Sequence, residues 1–175
     1  EQDAVHRQYR FDLHWKAPEN RAAVLVDLPL LACPSAPWRR GLAVNDYPVS
    51  DYIAGEARPG LGIPDRAEWT AVAGFFYQPA PPGGQTAIAP RAAAIRDGLS
   101  NTWLLFEDAG RPQTWERPTS GVPFSQRYAA NKERWADEAN RITVQVWCGT
   151  PINCANGNEI YAFHPGVANF GWGDG

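Results

Sequence analysis

The chain is predicted to fold as an α+β domain, an antiparallel β-sheet with short helices and long loops. Segments with strand patterning outnumber those with helical patterning. Gly and Pro, 16 residues each, are scattered along the chain, which favours short elements joined by turns over a helical bundle. No internal repeat, heptad pattern or domain linker divides the 175 residues, so a single domain over residues 1–175 is expected.

Taken in order, Glu1 to Tyr9 reads as the last turns of a helix. Ala17 to Arg21, with Pro18, Glu19 and Asn20, is a short turn. Ala22 to Leu31 is apolar and partly β-branched and reads as a strand. Pro29 confines it to a sheet edge or to the strand's end, because proline has no N–H to give to a ladder. Cys33-Pro-Ser-Ala-Pro37 then breaks the chain. Asn45 to Ala54 reads as extended and Arg58 to Pro64 as a Pro/Gly loop. Thr70 to Tyr77 fits a strand or a buried segment equally well. Gln78 to Gly84 (QPAPPGG) is the clearest internal loop.

Arg91 to Ile95 starts a short helix that ends at Asp97-Gly98. Thr102 to Glu107 (TWLLFE) reads as a buried strand and Arg111 to Gln126 as irregular. Tyr128 to Glu138 is expected to form one helix. Arg141 to Trp147 (RITVQVW) alternates with period two, as a half-buried strand does. Ile160 to Phe163 and Asn169 to Trp172 are two final short strands.

Composition excludes several functions. The net charge is −3 and charged residues make up 20%, below the roughly 25% of an ordinary domain. No basic run offers a surface to nucleic acid or an anionic membrane. No apolar run reaches membrane-spanning length. Eight tryptophans are spread along the sequence, which favours structural roles over one binding face. G-x-S-x-G, H-E-x-x-H, Walker and G-x-G-x-x-G motifs are all missing, so an enzyme is not expected. A triad assembled in space from His6, His14 or His164 stays open, because such triads leave no fixed spacing in sequence.

Three cysteines occur. Cys148 and Cys154, separated by Gly149, Pro151 and other loop residues, are expected to close a small disulfide loop in an oxidising compartment; two reduced thiols are the alternative. Cys33 is left over, either buried or paired with a cysteine upstream of this segment. His164 is a candidate metal ligand with Asp174, or else a ring that fixes the Pro165-Gly166 turn. Asp97-Gly-Leu-Ser-Asn-Thr102 reads as an Asx/ST turn feeding a strand. The functional alternative is a calcium site from Asp97, Asn101, Glu107 and Asp108, although the spacing matches no EF-hand loop. Asn153, Asn156, Asn158 and Glu159 form a second oxygen-rich cluster, read as a polar loop.

A series of blocks resembles a large bacterial family of prepilin-like secreted proteins of uncharacterised function, the domain of unknown function 1559. The series runs from Gln8-Tyr-Arg-Phe-Asp-Leu-His-Trp15 and Pro18-Glu-Asn-Arg-Ala-Ala23 through Cys33-Pro-Ser35 and Asp51-Tyr52. It continues with Ile95-Arg-Asp97-Gly98-Leu-Ser100-Asn101-Thr102 followed by Glu107, then Trp135-Ala-Asp137, Ile152-Asn-Cys154 and Asn158-Glu-Ile-Tyr161. It closes on His164, nine residues, and Asp174-Gly175.

The resemblance implies a prepilin-like leader and a hydrophobic N-terminal helix before a pseudopilin-like globular domain. This chain is expected to be a fragment lacking that helix and the strand that returns from the Asp174-Gly175 turn, leaving an open sheet edge. The implied function is non-enzymatic protein–protein assembly in a type II secretion-like or pilus-like system. Its setting would be extracytoplasmic: periplasm, cell surface or secreted. The implied partners are other copies or other pseudopilin-like subunits, with no nucleic acid, and with membrane contact only through the missing helix. No cofactor is expected beyond the candidate calcium. The alternatives are a secreted glycan- or solute-binding module using exposed aromatics such as Trp38, Trp69 and Trp115, and a hydrolase with a spatially assembled site.

Overall fold

The computed structural model describes residues 2–37, 41–54, 59, 62, 71–73, 92–96, 98–116, 134–137, 140–146 and 149–174. The chain opens with helix α1, Asp3–Gln8. Asp3 in its first turn and His6 and Arg7 in its last complement the helix dipole. None of its residues is buried, so α1 depends on contacts made by its C-terminal neighbours. Tyr9 packs edge-on against Phe11 and tilts against Trp135, with centroids 4.9 and 5.9 Å apart. The buried amide of Asn20 ties down the next loop: its Oδ1 accepts from the Arg10 N–H, and its Nδ2 donates to the Arg10 and His14 carbonyls.

The strand expected over Ala22 to Leu31 does not form. A 3-10 turn at Pro18–Asn20 runs into helix α2, Arg21–Val24, and a second 3-10 turn covers Pro29–Leu31. Local chemistry explains the difference. Ala22 and Ala23 are the best helix formers, and both Pro18 and Pro29 open a helical turn, where their missing N–H costs nothing. Ala23 and Val24 are buried on that turn.

The remaining elements form a five-stranded sheet. Its strands are β1 (Val49–Ala54), β2 (Ala71–Ala73), β3 (Trp103–Phe106), β4 (Arg141–Val144) and β5 (Phe170–Trp172). The path is β2-β1-β3-β5, all antiparallel. β4 pairs with β1 in parallel, with Val49 opposite Arg141 and Ile53 opposite Val144. The expected antiparallel sheet is therefore mixed. A parallel pair needs a long crossover, and the chain from residue 55 to 140 supplies it.

Expected strands and helices are shortened elsewhere. Residues 92–94 make one 3-10 turn. Ile160 to Phe163 makes only isolated bridges, Ile152 with Ile160 and Asp108 with Tyr161. Side chains take over from a ladder there: the Ala162 N–H donates to Asn153 Oδ1 at 2.6 Å. Of the helix expected at Tyr128 to Glu138, residues 128–133 and 138 lie outside the described residues. Arg134 instead bridges Val44, and the Trp135 N–H donates to the Ala43 carbonyl. The Pro/Gly loops at 58–64 and 78–84 lie outside the described residues, apart from positions 59 and 62. No helix among the described residues is long and apolar enough to cross a membrane.

The core gathers Phe106, Ile142, Val144 and Ile160, with Val146, Ile152, Ala168 and Phe170 packed around it. Thr143 is buried as well, so β4 is covered on both faces rather than alternating. Around this core the fold buries polar side chains that serve loop backbone. Asn156 Oδ1 accepts from the Trp115 N–H, and its Nδ2 donates to the Ala109 and Gln113 carbonyls. Such side-chain caps let a chain with few regular elements satisfy its interior peptide groups.

Glu159, in the same region, has a measurable consequence. Burial pushes its carboxyl from the ordinary 4.5 up to about 8. The native state therefore holds a proton there that the unfolded chain releases. The contribution of Glu159 to stability is fully present below pH 4.5, falls as pH rises through the window to about 8, and levels off above it. Glu159→Gln removes the ionisation. It is expected to raise unfolding free energy at pH 8 by roughly 3 kcal/mol and to change it little at pH 4. Urea melts at both values check this, and an equal effect at the two would sink it.

Candidate functional site

Asp46 organises the polar interior beside the sheet. It is fully buried, just before β1. Its N–H donates to the Leu31 carbonyl and its own carbonyl accepts from the Asp108 N–H, both at 2.8 Å. Its Oδ2 accepts from the Cys33 N–H at 2.7 Å and its Oδ1 from the Gly110 N–H at 3.1 Å. One residue thus lashes the segment around Cys33 to the turn after β3.

Glu107 leaves β3 into that interior. Its N–H donates to the Asn169 carbonyl, and its Oε2 accepts from the Asn169 N–H at 2.8 Å. Its carbonyl accepts from the Tyr161 N–H at 2.9 Å. The segment carrying His164 and Asn169 is thereby seated on Glu107. The outcome is a convergence: His164 Nε2 lies 3.4 Å from Glu107 Oε1 and 3.7 Å from Cys33 Sγ. Asn169 Nδ2 stands 3.4 Å from the same ring nitrogen.

Among the described residues, Cys33, Glu107 and His164 are the three ligand-type side chains whose donor atoms all lie within 4.8 Å of one another. Cys33 and Glu107 are buried, and His164 is 27% exposed, so the cluster reaches solvent through the histidine.

In the metal-free protein the electrostatics work against an activated thiol. Burial, and then the neighbouring Glu107 carboxylate, push the Cys33 thiol up to about 11. A nucleophilic cysteine needs the opposite shift. The geometry agrees, because a triad uses the two ring nitrogens separately, one for the nucleophile and one for the orienting carboxylate. Here Nε2 faces both partners. Tyr47 borders the same space: burial first, then the charges of Glu107, Cys33 and Asp46, push its hydroxyl up to about 12, against a hydrogen bond with Asn169.

The sequence candidates redistribute. His164 is drawn to Glu107 and Cys33, and Asp174 does not join the group. Of the calcium candidates, Asp97 lies outside the described residues, and Asn101 is exposed on a 3-10 turn, Leu99–Asn101. Asp108 sits 3.3 Å from the buried Arg111 guanidinium, an internal cation for its charge. Arg111 in turn donates to Asn140 Oδ1 and the Asn45 carbonyl. Only Glu107 enters the cluster, and its company is sulfur and imidazole.

In the Asp97-Gly98-Leu-Ser100-Asn101-Thr102 block, the Thr102 hydroxyl donates to the Gly98 carbonyl at 3.0 Å. The Gly173 N–H closes on the Leu99 and Thr102 carbonyls, so this block packs against the C-terminal one. Cys148 lies outside the described residues, and with it the expected bridge to the buried Cys154. Cys33 is the free cysteine among the described residues. Asp46, Tyr47 and Asn169 were not singled out from sequence. The leftover Cys33 and the separate metal candidates His164 and Glu107 are the signals in the sequence that point here.

The aromatic expectations also shift. Trp38 and Trp69 lie outside the described residues, and Trp115 is half-buried, edge-on to Phe163 at 5.2 Å. Among the described residues the exposed tryptophans are Trp103 and Trp172, each 46% accessible and paired across β3 and β5 with centroids 5.6 Å apart. Phe170 stacks on Trp103 at 5.1 Å.

A family model described as "Protein of unknown function (DUF1559)" matches residues 1–175. No curated protein and no solved structure matches the chain.

Proposed function

The chain belongs to this family of unknown function over its whole length, and we propose that it is a non-enzymatic, extracytoplasmic, prepilin-like assembly domain that docks through the edge of β5. The extracytoplasmic setting and the secretion- or pilus-like system rest on the sequence resemblance. The docking surface rests on one observation: two half-exposed tryptophans stand side by side, Trp172 on the outermost strand β5 and Trp103 on its neighbour β3. Among the described residues β5 pairs with β3 alone, so its far side offers backbone groups for an added strand. Large aromatic side chains beside such an edge supply the apolar anchor that strand addition lacks by itself.

The partner this surface fits best is a second copy of the same chain. Sedimentation equilibrium of the purified protein is expected to show concentration-dependent association. Trp172→Ser should weaken it by about tenfold or more, the size of an aromatic hot spot. A monomer at every concentration would remove the reading. The same tryptophan pair fits stacking on a sugar ring, which makes a glycan-binding module the second reading. Quenching of tryptophan fluorescence by oligosaccharides, without any association, would move that reading to the front.

A further inference from the structure

We propose that Cys33, Glu107 and His164 form a binding site for one divalent transition ion of the zinc class. The site lies at the end of the β3–β5 pair, where Glu107 and Asn169 face each other, and uses none of the tryptophans of the assembly surface. Its three donors come from chain segments far apart in sequence, brought together by Asp46 and Asn169.

The two donor separations from the histidine fit a metal. Zinc bonds sulfur at about 2.3 Å, imidazole nitrogen at about 2.0–2.1 Å and carboxylate oxygen at about 2.0–2.2 Å, in a tetrahedron. Those lengths place nitrogen and oxygen about 3.4 Å apart, and nitrogen and sulfur about 3.6 Å apart. The chain holds them at 3.4 Å and 3.7 Å.

A second observation points to a ligand. Glu107 is fully buried; its Oε2 is satisfied by the Asn169 N–H, while its Oε1 makes no well-formed hydrogen bond and faces only the His164 ring at 3.4 Å and the Cys33 thiol. An acceptor left bare in the interior is costly unless a cation or donor completes it. The bare oxygen is the one that faces His164.

The donor set selects the ion. Calcium and magnesium take oxygen ligands, whereas thiolate with imidazole suits zinc and its neighbours. The carboxylate oxygen and the thiol sulfur both lie beside Nε2, so one ion placed among them can reach all three. Three protein ligands leave a fourth position for water or a bound group, and the partial exposure of His164 gives it a way in. The buried backbone contacts of Asp46 to Cys33 and of Asn169 to Glu107 hold the ligands in place, the role outer partners play around metals.

The test uses the whole chain, stripped with chelator and titrated with zinc chloride alone against a chromophoric competitor. A single site is expected. Cys33→Ser and His164→Gln should each weaken it by about 100-fold or more, at least the loss seen when an outer partner of a metal site is removed. Asp174→Ala should leave it unchanged. Near-UV circular dichroism of the metal-free variants reports whether they fold. Cobalt loading of the unmutated protein gives a readout that needs no variant: a thiolate-to-cobalt charge-transfer band with the d–d bands of a four-coordinate ion. No zinc binding overturns the proposal. So do binding that survives both ligand substitutions, binding abolished by Asp174→Ala, and a six-coordinate cobalt spectrum without charge transfer.

Discussion

Asp46→Ala is expected to lower unfolding free energy by about 3–4 kcal/mol, because it strips the acceptor from two buried N–H groups at once. Those donors are Cys33 N–H at 2.7 Å and Gly110 N–H at 3.1 Å. Each buried donor left unsatisfied costs about 1–3 kcal/mol. For a chain of this size the loss corresponds to a fall in melting temperature of about 6–16 °C. Asp46→Asn keeps one acceptor and turns an amide N–H₂ towards a donor, so it should fall between the wild type and alanine. Denaturant unfolding of the three proteins checks the order, and an alanine variant within 1 kcal/mol of the wild type would refute the bracing role.

Gly110→Ala is the second large effect, expected at about 3 kcal/mol. Two causes add. Gly110 has φ +97°, where a side chain is strained by about 1 kcal/mol or more. A Cβ there would also meet Trp115 Cδ1 at 2.8 Å and Phe163 Cε2 at 2.9 Å. Those rings hold each other edge to face at 5.2 Å, so neither can retreat without giving up that contact. Gly166→Ala separates the causes. It has φ +73° with open space around it, so it carries the backbone strain alone and should cost about 1 kcal/mol. Equal losses for the two variants would remove the steric half of the account. Because the Gly110 N–H donates to Asp46, combining Gly110→Ala with Asp46→Ala should cost less than the sum of the two.

Much of the fold is legible in local patterning. The period-two run at Arg141 to Trp147 gives β4, Arg141–Val144, and TWLLFE gives β3. The end of the first helix, β1 within Asn45 to Ala54 and the last strand at Phe170–Trp172 are also where the pattern puts them. The reading fails at Ala22 to Leu31, where apolar character stood for a strand. Periodicity cannot separate a short buried helix from a short strand, and here the alanines and prolines decided it. It fails again at Ile160 to Phe163, where the backbone bonds go to Asn153, Glu107 and Ala109 in turn and the Asn153 side chain takes the Ala162 N–H, so no ladder runs.

The site was half legible. Cys33, Glu107 and His164 all stand in blocks that the resemblance picked out, yet each was assigned a separate fate: a leftover thiol, a calcium candidate, a partner for Asp174. Nothing in their spacing says that they meet. They are brought together by carboxylate-to-backbone bonds, Asp46 to the Cys33 N–H and Glu107 to the Asn169 N–H, and the backbone halves of those bonds leave no mark in the sequence.

By itself, the sequence determined the class of fold, the loop-rich build and the family, because propensity, turn residues and ordered motif blocks are local properties. Only the tertiary structure decided the parallel pairing of β4 with β1, the exposure of Trp103 and Trp172, and the meeting of a thiol, a carboxylate and an imidazole around one point. Those depend on which distant segments share an interior. That is settled by closing the whole chain around one core, where each buried polar group must find its partner.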